Sequence, residues 1–116
     1  MDDPLSKFIL FVPLYYNDGR KVPKKVILDF EERLFVLGGG FTDIGTVRGA
    51  YPMADGKKQI DHSVHYWIWL KEEYVPELRQ AVAELGAKLG QESMYLEHAP
   101  GTLDLVPPQP PKGGSS

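Results

Sequence analysis

Cysteine is absent from this 116-residue chain. Its absence excludes disulfide bonds, thiolate nucleophiles and cysteine-ligated zinc. Long apolar runs are also missing, since none approaches the roughly 20 residues that a helix needs to span a bilayer. The acidic start, residues 1–7, differs from the charged and then apolar pattern of a secretion signal. We therefore expect a cytoplasmic protein with no membrane partner.

The chain also has no excess of positive charge. The chain has 13 lysines and arginines against 16 aspartates and glutamates, a net charge of −3. A protein that follows a phosphate backbone normally carries a basic stripe, so we expect no nucleic-acid partner. The length suits one folded domain, expected over residues 1–106. Residues 107–116 (PPQPPKGGSS) predict a flexible, polyproline-like tail.

Hydrophobic periodicity predicts four strands and two helices. The strands are expected at residues 7–15, at 46–51, from the turn at Asp55-Gly56 to Leu70, and at 93–98, with 102–106 as a candidate extension of the last strand. The helices are expected from Pro23 to Leu37 and from Glu72 to Gly90, the first capped by the glycines that follow it. The order β-α-β-β-α-β predicts a ferredoxin-like α+β fold, with a four-stranded antiparallel sheet and both helices on one face.

The third predicted strand has two different faces, because alternate residues of a strand point to opposite sides. Val64, Tyr66, Ile68 and Leu70 form an ordinary core face. The other face joins residues of neighbouring strands on the side of the sheet without helices, here called the open face: Phe11, Tyr15, Asp61, Ser63, His65, Trp67, Trp69, Tyr95 and Glu97. Such large rings are costly to leave in water as one patch. The open face therefore predicts a ligand site, a subunit contact, or both.

The spacing of the candidate residues argues against several common kinds of functional site. The glycine-rich stretch 38–45 follows a helix and lacks the motif of a phosphate-binding loop. His62 and His65 point to opposite faces of their strand, so we expect no metal site. Ser63 and His65 are neighbours on one face, without a base aimed at a hydroxyl, which argues against covalent catalysis. We expect no cofactor.

Tyr51 and Asp61 flank the predicted hairpin and must lie near each other. A carboxylate beside an aromatic ring can hold an organic cation by charge pairing and cation–π attraction. Equally, a Tyr51–Asp61 hydrogen bond could merely stabilise the hairpin. Gln91 and Glu92 lie in the turn between the second helix and the fourth strand, either as plain polar loop residues or as groups that reach a neighbouring subunit's site.

Three short motifs carry a resemblance to a known family: Gly49-Ala50-Tyr51, Asp61-His62-Ser63-Val64 and Gln91-Glu92-Ser93-Met94-Tyr95. In this order and spacing, residues 39–106 resemble the phage-encoded S-adenosylmethionine lyases, which have a glutamate where this chain has the shorter Asp61. The layout also resembles small uncharacterised bacterial ferredoxin-like proteins with a Gly-Gly-x-Thr loop, corresponding to Gly39-Gly40-Phe41-Thr42. The resemblance to the lyases implies a ferredoxin-like homotrimer that binds its substrate where subunits meet.

The resemblance also implies a reaction and roles for residues. The substrate would be S-adenosylmethionine, converted by its own carboxylate to homoserine lactone and 5′-methylthioadenosine, with no metal or cofactor. Tyr51 and Asp61 would be the catalytic pair, and the substrate-binding residues would be Phe11, Ser63, His65, Trp67, Gln91 and Glu92. The competing interpretation is a non-catalytic, homo-oligomeric ferredoxin-like module that binds a small molecule or another protein.

Overall fold

The first strand, β1, spans Leu5–Pro13 in the computed structural model, which describes residues 4–109. Its alternate residues Phe8, Leu10 and Val12 are buried, as expected for a central strand with one face on the core. The prediction that β1 reaches Tyr15 is wrong, since Tyr15 forms only an isolated bridge with Lys21. Pro13 has no N–H to continue the ladder, which explains the early end.

The first helix, α1, spans Lys24–Gly38 and begins directly after Pro23. It ends at Gly39, which has a φ of 74° and donates its N–H to the carbonyl of Phe35 at 2.8 Å. The predicted glycine cap is therefore confirmed. The stretch after the cap is not a long loop, because β2 (Thr42–Pro52) starts earlier than predicted. This strand contains a β-bulge between Asp43 and Gly45.

The remaining elements complete the predicted order. β3 spans Lys58–Lys71, a short 3₁₀ turn covers Glu72–Tyr74, α2 spans Val75–Lys88, and β4 spans Tyr95–Ala99. The strands lie in the order β2-β3-β1-β4, and all neighbouring pairs are antiparallel. The ferredoxin-like prediction is confirmed.

The end of the described chain departs from one expectation. Residues 102–106 do not extend β4, since residues 100–109 have no regular secondary structure. Pro100 and Gly101 interrupt the strand directly after Ala99. Residues 107–109 are exposed, and the rest of the predicted tail, 110–116, lies outside the described residues.

The core lies on one face of the sheet, beneath the helices. Tyr66, Ile68 and Leu70 of β3 are each at most 1% exposed, and Leu34 of α1 and Leu78 of α2 are fully buried against them. The predicted core face of β3 is thus confirmed. The open face is the opposite side of the same strands.

Gly86 lets α2 approach the sheet edge closely. A Cβ at this position would lie 2.7 Å from Cγ of Met94, which packs against the core just before β4. A helical glycine costs about 1 kcal/mol relative to alanine. The contact with Met94 explains why the helix carries glycine here.

The β2–β3 hairpin is longer than the rest of the sheet. β1 pairs with β3 only from Ser63 to Lys71, whereas β2 follows β3 out to Lys58. Residues 48–52 and 58–62 therefore extend beyond the end of β1 as a two-stranded hairpin, here called the arm. Directly after β1, the N–H of Leu14 donates to the carbonyl of His62 in the arm at 2.9 Å.

Candidate functional site

A groove of about 1130 Å³ lies where β1 ends, between the arm and two loops, residues 14–19 and 91–94. Ligand pockets in proteins typically measure about 300–1,000 Å³, so this groove is large enough for a nucleoside-sized molecule. It brings together six of the eight site residues predicted from the sequence: Phe11, Tyr51, Asp61, Ser63, Gln91 and Glu92.

Tyr51 and Asp61 lie on the same face of the arm. Gly49 pairs directly with Asp61 across the hairpin, and Tyr51 follows Gly49 by two residues on the same side. The ring of Tyr51 folds back over Gly49, so a Cβ on that glycine would lie 2.6 Å from the tyrosine hydroxyl oxygen. The glycine therefore provides the space that brings the phenol beside the carboxylate.

The hydrogen bond made by Asp61 is with Gln59, not Tyr51. The side-chain amide of Gln59 donates to Oδ1 of Asp61 at 2.8 Å. This contact orients the carboxylate and leaves its second oxygen for a cation. A carboxylate held beside a tyrosine in a groove of mixed polar and apolar lining can bind an organic cation.

Gln91 reaches the groove from the opposite wall, where another side chain holds it. Its amide Nε2 donates to Oδ1 of Asn17 at 3.3 Å, and Nδ2 of Asn17 donates to the carbonyl of Gly90 at 3.2 Å. Asn17 thus joins the loop after β1 to the turn before β4. Glu92 lines the same wall.

A connected row of rings crosses the open face, here called the ladder: Tyr95, Phe11, His65 and Trp67. Phe11 stacks on Tyr95 with ring centroids 4.3 Å apart, and its other neighbour, His65, meets it edge to face at 5.0 Å. Trp67 donates its indole N–H to Nε2 of His65 at 3.2 Å. Lys7 places its ammonium 3.6 Å from the Trp67 ring centroid. Each of these rings already has a partner within the chain.

The ladder and the groove overlap only in part. Phe11 and Tyr95 line the groove, whereas His65 and Trp67 lie farther along the open face and do not. Their role as substrate-binding residues stays a prediction. Tyr15, expected on the open face, instead meets His62 edge to face at 6.1 Å, because β1 has already ended.

Tyr95, which stacks on Phe11, also has a polar contact at the sheet edge. Its hydroxyl donates a hydrogen bond to a carboxylate oxygen of Glu97. This bond is the main reason that the pKa of Tyr95 is raised above its ordinary value, and nearby Tyr51 adds to the effect.

Two residues that hold functional side chains of the groove, Gln59 and Asn17, were not among the predicted site residues. Gln59 precedes Asp61 by two residues on the same strand face, so strand alternation could have found it. Asn17 meets Gln91 from 74 positions away, and no local pattern signals that contact.

Other kinds of site find less support in the part of the chain that the structure describes. Within residues 4–109, no three histidine, aspartate or glutamate side chains converge as they would around a metal ion. Neither described helix is long and apolar enough to cross a bilayer. A second cavity, of about 770 Å³, lies between the helices, but its Arg33 is already paired with Glu84 and it contains none of the predicted site residues.

Comparison with solved structures links this fold to two groups of proteins. A phage S-adenosylmethionine lyase in complex with S-methyl-5′-thioadenosine superposes with a TM-score of 0.63 at 18% identity, over 85% of this chain and 83% of that one. The divalent cation tolerance protein CutA1 of Thermus thermophilus gives a TM-score of 0.65 at 13% identity, over 86% of each chain. CutA1 of Oryza sativa gives 0.61 at 17% identity, over 88% and 84%.

These similarities concern the fold. The resemblance to the phage lyases that the motifs indicated is thereby confirmed at the level of the fold, and the ferredoxin-like architecture is shared with CutA1 proteins. No protein-family model and no curated protein matches the sequence.

Proposed function

We propose that this protein is a lyase that degrades S-adenosylmethionine to homoserine lactone and 5′-methylthioadenosine. The observation that carries the proposal is the Tyr51 ring folded over Gly49 beside the Asp61 carboxylate, in a groove of nucleoside size. Support also comes from the fold shared with a phage lyase whose structure holds S-methyl-5′-thioadenosine, the nucleoside product of this reaction.

The proposed reaction is an intramolecular displacement. An oxygen of the substrate's own carboxylate forms a bond to Cγ as the bond between Cγ and sulfur breaks. The electron pair of that bond leaves with sulfur, which becomes a neutral thioether, and no proton transfer is required. The protein's task is to hold the substrate in the attacking conformation, where intramolecular alignment is worth about 7–11 kcal/mol.

The residues that line the groove have separate proposed roles in this reaction. The Asp61 carboxylate, oriented by Gln59, pairs with the ammonium or sulfonium of the substrate, and Tyr51 adds a hydrogen bond or a cation–π contact. Gln91, held by Asn17, binds the amino-acid end or the nucleoside. Phe11 offers a ring for adenine, and Ser63 and Glu92 line the same groove. His65 and Trp67, which lie farther along the open face, complete the proposed substrate-binding set.

The proposal also covers the oligomeric state of the protein, its origin and its location in the cell. We infer a homotrimer that binds substrate at the junction between subunits, because the lyases that the motifs resemble have that arrangement. The same resemblance favours a phage-encoded protein that acts in the cytoplasm. Residues 1–106 would form its single domain, with 107–116 as a tail.

The decisive experiment is to incubate the purified protein with S-adenosylmethionine and measure 5′-methylthioadenosine by chromatography. Asp61→Asn should abolish formation of the product without changing the size of the assembly. Asp55→Asn is a matched control, because it makes the same change of charge in the same hairpin and asparagine can keep the turn contact with the N–H of Lys57. No product above background from the unaltered protein would refute the lyase proposal.

One observation favours the alternative, a non-catalytic homo-oligomeric binding module. The ladder forms a broad aromatic surface, and aromatic side chains are enriched where proteins meet. The module interpretation predicts that Trp67→Ala dissociates the oligomer while no nucleoside shifts the melting temperature. A shift with S-adenosylmethionine or 5′-methylthioadenosine would favour the lyase.

A further inference from the structure

The arm has an unpaired strand edge. Residues 58–62 of β3 pair with β2 on one side, but on the other side β1 has already ended. The carbonyl of His62 faces that side, since it accepts the N–H of Leu14 at 2.9 Å. Alternation in an antiparallel ladder then directs the N–H and C=O of Ile60 and Lys58 to the same side. An exposed edge of this kind is a template for another strand.

Residues 102–106, Thr-Leu-Asp-Leu-Val, have the composition of an unpaired strand. Leu103 and Leu105 alternate with polar residues, and Val106 follows. Leu105 and Val106 are 81% and 75% exposed, which leaves two large apolar side chains in water directly after the last strand. Because the carbonyl of His62 already accepts the N–H of Leu14, the open edge of the arm comprises residues 58–61, which a five-residue segment is long enough to cover.

The segment cannot reach the arm of its own chain. Ala99 pairs with Lys7, at the end of the sheet opposite the arm. The distance along the strands from Ala99 to the level of Ile60 is about 30 Å, at roughly 3.3 Å per residue. The five residues that separate Ala99 from Asp104 span at most about 18 Å, and β4 runs away from the arm. Only a second copy can supply this segment.

The two segments also complement each other in charge and hydrophobicity. Asp104 is the only charged residue of the segment 102–106, whereas Lys57 and Lys58 stand at the tip of the arm. Ile60 on the open edge is 51% exposed, and Met53 in the turn is 46% exposed. Pairing would cover apolar side chains on both partners and satisfy the backbone groups of both edges.

We propose that residues 102–106 of one copy add as a strand to residues 58–61 of a second copy. The partner segment then forms a wall of the groove that contains Tyr51 and Asp61. This inference rests on the proposed self-association but not on the proposed reaction. It assigns the segment after β4 to the site of a neighbouring subunit.

The natural absence of cysteine makes a direct test possible. An Ile60→Cys chain is mixed, in turn, with a Leu103→Cys, an Asp104→Cys or a Leu105→Cys chain, and the mixture is oxidised. Paired antiparallel strands bring opposite Cα atoms to about 4.5–5.5 Å, within the roughly 4.4–6.8 Å that a disulfide bridges. We expect a disulfide-linked heterodimer, identified by mass spectrometry, from at least one mixture. Leu28→Cys, at a half-exposed position on α1, replaces Ile60→Cys as the control and should give none above background.

A second measurement does not depend on cross-linking. A chain that ends after Gly101 should keep the circular dichroism of the full chain but lose assembly, measured as molar mass by light scattering. An assembly that survives truncation and gives no cross-link would overturn this inference while leaving self-association in place. A monomeric full-length chain would overturn both. Cross-linking without any turnover of S-adenosylmethionine would refute only the proposed reaction and would leave this inference in place.

Discussion

Replacing Gly49 by alanine should damage the candidate site without weakening the fold. The new Cβ would lie 2.6 Å from the hydroxyl oxygen of Tyr51, and an ordinary contact needs about 3.4 Å, so the ring must retreat by about 0.8 Å. A misplacement of about 1 Å at a reacting centre can lower a rate by about 100-fold, equivalent to roughly 2.7 kcal/mol.

The effect on stability should have the opposite sign. Gly49 does not have a positive φ, so alanine fits the backbone of β2 without strain. Alanine in a strand is favoured over glycine by about 0.5–1 kcal/mol. We therefore expect formation of 5′-methylthioadenosine to fall by about 100-fold while the midpoint of urea unfolding stays the same or rises.

A double-mutant cycle tests whether the loss acts through the tyrosine. In a Tyr51→Ala background there is no ring to displace, so Gly49→Ala should have little further effect on turnover. Unchanged turnover in the single Gly49→Ala variant would refute the reasoning. An equal additional loss in the Tyr51→Ala background would also refute it, because the damage would then come from another cause.

Two further predictions concern the core. Gly86→Ala should lower the free energy of unfolding by about 1–3 kcal/mol, since the added methyl would lie 2.7 Å from Cγ of Met94; a urea titration that found stabilisation would contradict the close contact. Burial, and then the hydrogen bond to Glu31 at 2.5 Å, raises the pKa of Tyr66 well above its usual 10.0. The unfolded chain therefore loses this proton first, and stability should fall as the pH rises above about 10. Tyr66→Phe should reduce that decline in urea titrations from about pH 9 to about pH 11, and an identical decline in both proteins would contradict this assignment.

Strand alternation was enough to predict the two faces of β3. Val64, Tyr66 and Ile68 are buried and Asp61 lies on the other face, as the period of two requires. Similarly, the glycines after α1 predicted the end of that helix at Gly39. These features depend on local backbone geometry, which neighbouring residues in the sequence determine.

The geometry of the groove depends on contacts that the sequence does not contain locally. The register that pairs Gly49 with Asp61 follows from the turn at residues 53–56 and could not be read from either strand alone. The contact between Asn17 and Gln91 joins loops far apart in the chain. The early end of β1, which creates the groove, results from Pro13 and the reversal of the chain toward Lys21.

The open face offers a ligand two different surfaces, and their energetics favour the groove. In the ladder, Trp67 already donates to His65 and accepts the Lys7 ammonium above its ring, so a ligand that entered there would have to replace these contacts. Aromatic and cation–π contacts are each worth about 0.5–1.5 kcal/mol, and the ligand would first have to compensate for their loss. In the groove, Gln59 engages only one oxygen of Asp61, so a ligand has no contact to displace at the second oxygen. An organic cation would therefore gain more net binding energy beside Asp61 than over the ring of Trp67.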